Sequence, residues 1–408
     1  MPGDSSKSHP SNIVPLKVKE VTDIVITALK ATPYARAIEK YSVPQNILPN
    51  KLVPQADDTL FKKLYVTYDL IKGGNLEITS HDLFPNYIGR IFEIEQNGIK
   101  QLVMVGLSND LDLDLLREKS FPFLIYIPPS PQDTPDAHKK MFPNLYSNTP
   151  SNAIPIFYKD VLGYPYSWDW LFFQFFLNMF KLSYQLKKAE KPYVFVVPLV
   201  KSFSDGLGFL TSGITMERCL LGIQKFYLDE RFKENGYNLG DLQYITFASF
   251  SIGNSILSNF IVTNQQDPFF RSKVKDFIIL DPPPYKVNNR SPIIKTIISI
   301  MRTDTTKSIF LYAQDSYYIQ PLIQSFLIPK KIVFDISKQK IFQDPQVTNV
   351  FFAHIERHLF LSHIQDPALK DVHNTFPNLF IHHAVIRNSL RFPSFDGRSF
   401  SGLKVPGY

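Results

Sequence analysis

The stretch that decides the fold is Tyr244–Phe260, which reads YITFASFSIGNSILSNF. Its first four residues, Tyr244 to Phe247, are strand formers. After a cluster of small residues, apolar side chains recur at the spacing of a helix: Ile252, Ile256, Leu257 and Phe260. The pattern predicts a strand that turns sharply into a helix, with Ser251 at the turn. The first N–H groups of a helix are unpaired and carry the positive end of its dipole, so they would face this serine.

The pentapeptide Ser249–Gly253, SFSIG, resembles the nucleophile elbow G-x-S-x-G of the α/β-hydrolase fold, with Ser249 in place of the first glycine. Small residues are needed on both sides of the nucleophile because strand and helix cross closely there. The resemblance implies that Ser251 attacks the substrate and that the Ile252 N–H stabilises the resulting oxyanion. The alternative interpretation is a serine-rich connection in which Ser251 only caps the helix.

The rest of the chain alternates between strand and helix patterns. The nearly continuous apolar runs Phe121–Ile127 and Tyr193–Val200 are typical of strands buried on both faces of a parallel sheet. An Asn97-Gly98 pair predicts a hairpin over Arg90–Leu107. Helical spacing occurs in Ser167–Lys188 and Thr215–Asp229, and the further predicted strands are Phe277–Leu280, Ile309–Tyr312, Lys331–Ile336 and Val347–Ala353. Together they predict a mostly parallel α/β sheet flanked by helices, similar to the α/β-hydrolase fold.

Three parts are predicted along the chain. Residues 1–84 form a polar leader and a helical extension, whose first helix runs from Val18 to near Ala31. Residues 85–390 form the α/β-hydrolase-like domain. Residues 391–408, rich in Gly, Ser, Pro and Phe, form an irregular C-terminal tail.

A nucleophilic serine needs a histidine base, and the base needs a carboxylate that orients it. In the family that the elbow resembles, the acid and then the histidine follow the serine in the chain. Asp315, just past a predicted strand, is the favoured acid, and Asp281, also at a strand end, competes with it. His358, a short loop after the last predicted strand, is the favoured base, with His363 and His354 in reserve.

The resemblance also implies a second oxyanion donor in the loop after Phe121–Ile127. Here that loop begins Pro128-Pro129-Ser130, and proline has no N–H to donate. Ser130 is therefore the candidate for this donor. The departure favours an alternative function, in which the chain is a catalytically inactive α/β-hydrolase-fold protein that serves as a binding or structural module.

Composition and motifs argue against several other classes of protein. The net charge is +7 over 408 residues and the basic residues are scattered, so no nucleic-acid partner is expected. The single cysteine, Cys219, excludes an internal disulfide and a multi-cysteine zinc site. No glycine-rich phosphate loop occurs. His354 and His358 could pair on a metal if their segment were helical, but the pattern is not H-E-x-x-H, and we expect neither a metal nor a cofactor.

The sequence predicts a cytoplasmic protein without a transmembrane segment. Residues 1–12 lack the apolar core of a signal peptide, and the longest apolar run, Trp168–Phe180, is short and interrupted by polar residues. The predicted function is hydrolysis or transfer at an ester or related acyl bond, as in a serine esterase, a lipase-like enzyme or an acyltransferase. The aromatic helix that begins near Trp168 favours a small acyl or lipid-like substrate, whereas the inactive alternative calls for a protein partner.

Overall fold

The structure is a computed structural model that describes part of the 408-residue chain. The described residues are 13–25, 89–96, 98–107, 121–128, 182, 186, 191–198, 208, 212–232, 236–237, 239–282, 293, 296, 299–300, 304–313, 342–343, 350–354, 376–377, 380–381, 384–385, 388 and 391. The predicted strand Lys331–Ile336, most of the predicted helix Ser167–Lys188 and residues 392–408 lie outside them.

Ten strands of the described chain form one mixed sheet. They are β1 (Val18–Glu20), β2 (Gly89–Gln96), β3 (Ile99–Leu107), β4 (Pro122–Ile127), β5 (Val194–Pro198), β6 (Tyr244–Phe250), β7 (Val274–Leu280), β8 (Ser308–Ala313), β9 (Phe342–Gln343) and β10 (Val350–His354). Their order across the sheet is β1-β2-β3-β5-β4-β6-β7-β8-β10-β9. The six strands from β5 to β10 in that order are parallel, and the others are antiparallel. The predicted mostly parallel α/β sheet is therefore confirmed.

Three helices with described bounds cover one face of this sheet. They are α1 (Gly213–Phe232), α2 (Gly253–Asn264) and α3 (Pro268–Lys273). Alternate residues of the central strands, such as Phe247 and Phe277, share one apolar core with these helices. On the opposite face the Tyr312 ring stacks on Phe380, with centroids 4.7 Å apart. Among the helices that the structure describes, none is both long and apolar enough to cross a bilayer.

Local sequence explains where two of these helices begin. The Ser212 hydroxyl accepts a hydrogen bond from the Thr215 N–H at 3.1 Å and caps α1. Asp267 caps α3 by accepting from the Phe269 N–H at 2.8 Å, and Pro268 fills the first helical position. The Asp267 cap lies in the connection between α2 and β7, and the Ser212 cap lies before α1.

The hairpin predicted around Asn97-Gly98 is confirmed, since β2 and β3 pair in antiparallel register and Gly98 has a φ of 77°. The helix predicted to begin at Val18 is wrong at its start. Residues 18–20 form the strand β1, which pairs with β2, and helical residues begin only at Thr22. The free backbone edge of β2 offers hydrogen bonds that outweigh the helical preference of three residues.

The strand order reverses its direction beside β4. Strand β5, which follows β4 in the chain, lies on one side of β4. Strand β6 lies on its other side, and the later parallel strands β7, β8 and β10 follow outward from β6. Open α/β sheets bind ligands at the carboxyl ends of their strands where such a reversal occurs. The ends of β4 and β6, at Ile127 and Phe250, therefore mark the expected site. We call this side of the sheet the carboxyl edge.

One buried carboxyl on α1 predicts a pH dependence of stability. Burial raises the pKa of Glu217 from 4.5 to about 7, with a further rise from the charges of Asp241 and Asp267 and opposition from Lys273. The folded state then holds this proton more tightly than the unfolded state, so the free energy of unfolding falls as the pH rises from about 4.5 to about 7.

Glu217→Gln should remove this pH dependence. At pH 8 the variant should gain roughly 1–3 kcal/mol of unfolding free energy over the wild type, whereas at pH 4 the two proteins should differ little. Urea unfolding at both pH values measures the difference. Glu95→Gln, at an exposed glutamate, is the control and should change stability by less than about 0.5 kcal/mol. An equal effect of Glu217→Gln at both pH values would contradict the assignment.

Candidate active site at the turn between β6 and α2

The predicted strand-to-helix turn is present, and its backbone is strained at Ser251. Strand β6 ends at Phe250, Ser251 has a φ of 51°, and α2 begins at Gly253. A positive φ is unfavourable for a residue with a side chain, and such strain gathers at functional sites. The Ser251 N–H donates to the Leu280 carbonyl at 3.0 Å, so the neighbouring strand β7 helps to hold the turn.

Gly253 lies against the end of β4 so closely that only glycine fits. A Cβ added at Gly253 would lie 2.7 Å from the carbonyl oxygens of both Ile127 and Pro128. Both are backbone atoms, one in the last residue of a central strand and the other in the residue after it, so they cannot rotate away as a side chain could. The glycine of the predicted elbow is therefore required, and the contact that requires it is the one between α2 and the end of β4.

Ser249 occupies the position of the other expected glycine, and the structure accommodates its side chain. Ser249 is fully buried, and its hydroxyl donates to the side-chain Oδ1 of Asn254 at 2.6 Å. The Asn254 Nδ2 donates to the carbonyls of Ser251, at 2.8 Å, and Leu280, at 3.0 Å. Sequence reasoning missed Asn254. The available signal was a polar residue five positions after Ser249, on the first turn of a helix whose spacing is otherwise set by Ile256, Leu257 and Phe260.

The N-terminus of α2 lies beside Ser251, and its first N–H groups have no acceptor in the part of the chain that the structure describes. Ile252 is the N-cap residue, already in a helical conformation with a φ of −64°, and no side chain caps this helix. Among the residues that the structure describes, no group accepts from the N–H of Ile252 or Gly253, and none bonds to the Ser251 hydroxyl. Ser251 is partly exposed. The turn can therefore present a hydroxyl and an anion-binding helix end to a molecule at the carboxyl edge.

Asp281 ends strand β7 in the same manner as Ser251 ends β6. Its φ is 37°, its N–H donates to the Tyr312 carbonyl at 2.7 Å, and its side chain is buried. Phe250 and Leu280, the residues before the two turns, are directly paired in the sheet. Two adjacent strands thus carry a polar residue in a left-handed conformation at the carboxyl edge, one of them predicted as nucleophile and the other as a competing acid.

The remaining predicted site residues are described only in small part. Ser130, Asp315, His358 and His363 lie outside the described residues. The backbone of His354 is described, and it is the last residue of β10, paired with Ala313 of β8. His354 and His358 therefore do not share one helix. The metal site that we considered for them, which needed both on one helix face, is wrong. Within the described chain, no three His, Cys, Asp or Glu residues are grouped to hold a metal ion.

Comparison with known proteins gives distant structural likeness. No protein-family model matches the chain, and no curated protein matches its sequence. The feruloyl esterase module from Clostridium thermocellum is similar at a TM-score of 0.32 and 15% identity, over 66% of this chain and 81% of that one. The acylaminoacyl peptidase of Pyrococcus horikoshii is similar at 0.32 and 12%, over 79% and 42%. The rice cell wall degrading esterase LipA from Xanthomonas oryzae is similar at 0.22 and 12%, over 75% and 71%. Likeness at TM-scores this low carries no conclusion about activity.

Proposed function

We propose that this chain is a serine hydrolase of the α/β-hydrolase type, acting on an ester or a related acyl bond. Ser251 attacks the acyl carbon, His358 takes the proton of the hydroxyl and later gives it to the leaving group, and Asp315 orients the imidazole. The Ile252 N–H binds the oxyanion of the tetrahedral intermediate. A small acyl or lipid-like compound is the substrate class, and water or another acceptor then releases the acyl group from Ser251.

The observation that carries the proposal is the conformation of Ser251. A strained, partly exposed serine stands at the carboxyl edge, where the strand order reverses, and it is followed by the N–H groups of Ile252 and Gly253, which have no acceptor among the described residues. A serine that only capped the helix would accept a hydrogen bond from the N–H of one of the next residues through its side chain, and α2 has no such cap. The geometry therefore favours a nucleophile over a cap.

The positions of the acid and the base agree with the strand order. Asp315 follows the last residue of β8 by two positions, and His358 follows that of β10 by four. Strands β8 and β10 lie two and three places from β6, which corresponds to about 10 and 14 Å at the usual strand spacing. We expect the loops that follow them to reach back along the carboxyl edge. Asp281 lies on the strand next to β6 and is retained as the alternative acid, with His363 and His354 as alternative bases.

A catalytically inactive binding module remains the second candidate, and one contact favours it. The carbonyl of Pro128 faces Gly253, and neither Pro128 nor Pro129 has an N–H for the oxyanion. Ser130 would have to supply the second donor. If it does not, the Ile252 N–H acts alone, and a missing donor of this kind costs about 100–1,000-fold in rate.

A fluorophosphonate probe, which labels activated serines, tests the two candidates. The wild-type protein should be labelled, and Ser251→Ala should lose the labelling completely because the attacking oxygen is gone. Ser255→Ala is the matched control, since Ser255 lies one helical turn further along α2, and it should be labelled like the wild type. His358→Gln should lower the labelling rate by about 1,000-fold or more.

Each outcome separates the candidates. Labelling that persists in Ser251→Ala would assign the nucleophile elsewhere. A folded wild-type protein that is never labelled would overturn the hydrolase and support the binding module. If His358→Gln is labelled normally while His363→Gln or His354→Gln is not, the base moves to that histidine and the rest of the proposal stands.

A further inference from the structure

The side chain of Asn254 occupies the centre of a buried hydrogen-bond network under the turn. Asn254 is 1% exposed, and each of its amide hydrogens has its own carbonyl acceptor, on Ser251 and on Leu280. Its Oδ1 accepts from the hydroxyl of Ser249. Because both carbonyls can only accept, this is the orientation of the amide that satisfies all three partners. The network ties the turn, the strand β6 and the neighbouring strand β7 to one side chain.

The same network fixes the direction of the Ile252 N–H. The carbonyl of Ser251 and the N–H of Ile252 belong to one planar trans peptide unit, so they point in opposite directions. The Ser251 carbonyl accepts two hydrogen bonds from Asn254, one from its side-chain Nδ2 at 2.8 Å and one from its backbone N–H at 3.0 Å. With the carbonyl held inside, the Ile252 N–H must point out toward the carboxyl edge.

We propose that Asn254 is a positioning residue for the oxyanion donor. It does not touch the substrate, but it locks the Ser251–Ile252 peptide in the orientation that aims the Ile252 N–H at the developing negative charge. The proposal rests on the proposed hydrolase function. Preorganised donors stabilise an oxyanion because they do not have to reorient during the reaction, and Asn254 supplies that rigidity here.

Ser249 gains a role from this network. A glycine there would leave the Oδ1 of Asn254 buried without the 2.6 Å hydrogen bond that it now accepts. The hydroxyl therefore orients the amide that holds the peptide. Ser249, which replaces the glycine of the family pattern, and Asn254 therefore act together through their hydrogen bond.

The test compares two asparagines of the same helix. Asn254→Ala removes the side chain that holds the Ser251–Ile252 peptide, which we call the clamp. Asn264→Ala is the matched control. Asn264 is also buried on α2, donates to the Phe260 carbonyl at 2.8 Å and accepts from the Gly213 N–H at 3.0 Å, but it lies at the far end of the helix. For fluorophosphonate labelling, Asn254→Ala should lower the maximal inactivation rate by about 10–100-fold with little change in probe affinity. Asn264→Ala should be labelled at close to the wild-type rate.

Hydrogen exchange gives a second readout that does not depend on catalysis. The N–H groups of Ser251 and Asn254 are bonded to the Leu280 and Ser251 carbonyls. Exchange at these two amides should therefore become faster in Asn254→Ala and stay slow in Asn264→Ala. If Asn254→Ala does not fold, Ser249→Ala takes its place, with a smaller loss of labelling of about 3–10-fold expected because the amide keeps its donors.

The outcomes are distinct for the clamp and for the hydrolase. Normal labelling of Asn254→Ala, or equal exchange in the two asparagine variants, would overturn the positioning role. A wild-type protein that is not labelled, combined with faster exchange in Asn254→Ala, would overturn the hydrolase and with it the catalytic purpose of the clamp. It would leave Asn254 as a structural lock of the turn.

Discussion

Gly253→Ala should lower the rate of labelling by the fluorophosphonate probe by about 100-fold and lower the free energy of unfolding by about 1–3 kcal/mol. The added methyl group would lie 2.7 Å from the carbonyl oxygens of Ile127 and Pro128, well inside contact distance. Since β4 is a central strand paired on both sides, the start of α2 must move instead. Ser251 and the Ile252 N–H move with it, and a displacement near 1 Å costs about 100-fold in rate.

The control for this prediction is Gly98→Ala in the hairpin. A Cβ at Gly98 meets nothing within 4 Å, although its φ of 77° costs the variant about 1–2 kcal/mol. Gly98→Ala should therefore lose some stability and keep its labelling. Gly253 has no such positive φ, and alanine in an open helix position is about 1 kcal/mol better than glycine. A Gly253→Ala protein that is more stable than the wild type and normally labelled would show that the close approach does not exist.

Strain and its support are concentrated at the carboxyl edge. Ser251 and Asp281 both adopt a left-handed conformation just after paired residues of β6 and β7. Each has its N–H held by the carbonyl of the next strand, at 3.0 and 2.7 Å. Non-glycine residues in this region cost of order 1–3 kcal/mol each, so the surrounding contacts must hold them there. At Ser251 those contacts are the glycine that lets α2 approach β4 and the asparagine beneath the turn.

The sheet could be predicted from the sequence because its central strands have a simple pattern. Strands buried on both faces are apolar without alternation, as in Phe123–Ile127 and Val194–Val197. The edge strand β1 could not be predicted in this way, since three residues carry no period and its pairing depends on β2, about 70 residues away in the chain. Its N-terminal neighbour Leu16 also binds back to α1, where its N–H donates to the Arg218 carbonyl at 2.8 Å.

The candidate site could be predicted only where its chemistry is local. The turn from β6 to α2 is encoded in five consecutive residues, so Ser251, Ile252 and Gly253 were found from the pattern. Asn254 was missed because a polar residue in the first turn of a helix is usually a solvent-facing or capping group, and only the packing shows that it is buried. The positive φ of Asp281 accompanies a hydrogen bond from its N–H to the Tyr312 carbonyl of β8, about 30 residues away, so no local pattern predicts it. The acid and the base remain predictions because distant loops must bring them to the serine.

Gly106→Ala should cause the largest loss of stability among the variants considered, about 3 kcal/mol or more in the free energy of unfolding. Gly106 in β3 pairs directly with Phe195 in β5, and an added Cβ would lie 1.9 Å from the Cζ of that ring. The ring is 1% exposed and fills the core, so it has no space to turn away. Strand β3 is three places from β6, so probe labelling per folded molecule should stay near the wild-type rate.

A double variant shows whether the phenylalanine ring is the cause of this loss. Phe195→Leu alone should cost about 1–2 kcal/mol by leaving a cavity. Combined with Gly106→Ala, the smaller side chain makes room for the new methyl group, so the double variant should be more stable than the sum of the two losses by at least about 1 kcal/mol. Urea unfolding of the four proteins measures this coupling. Strictly additive losses would mean that the alanine is opposed by something other than the Phe195 ring, because a direct clash is relieved when the ring that causes it is removed.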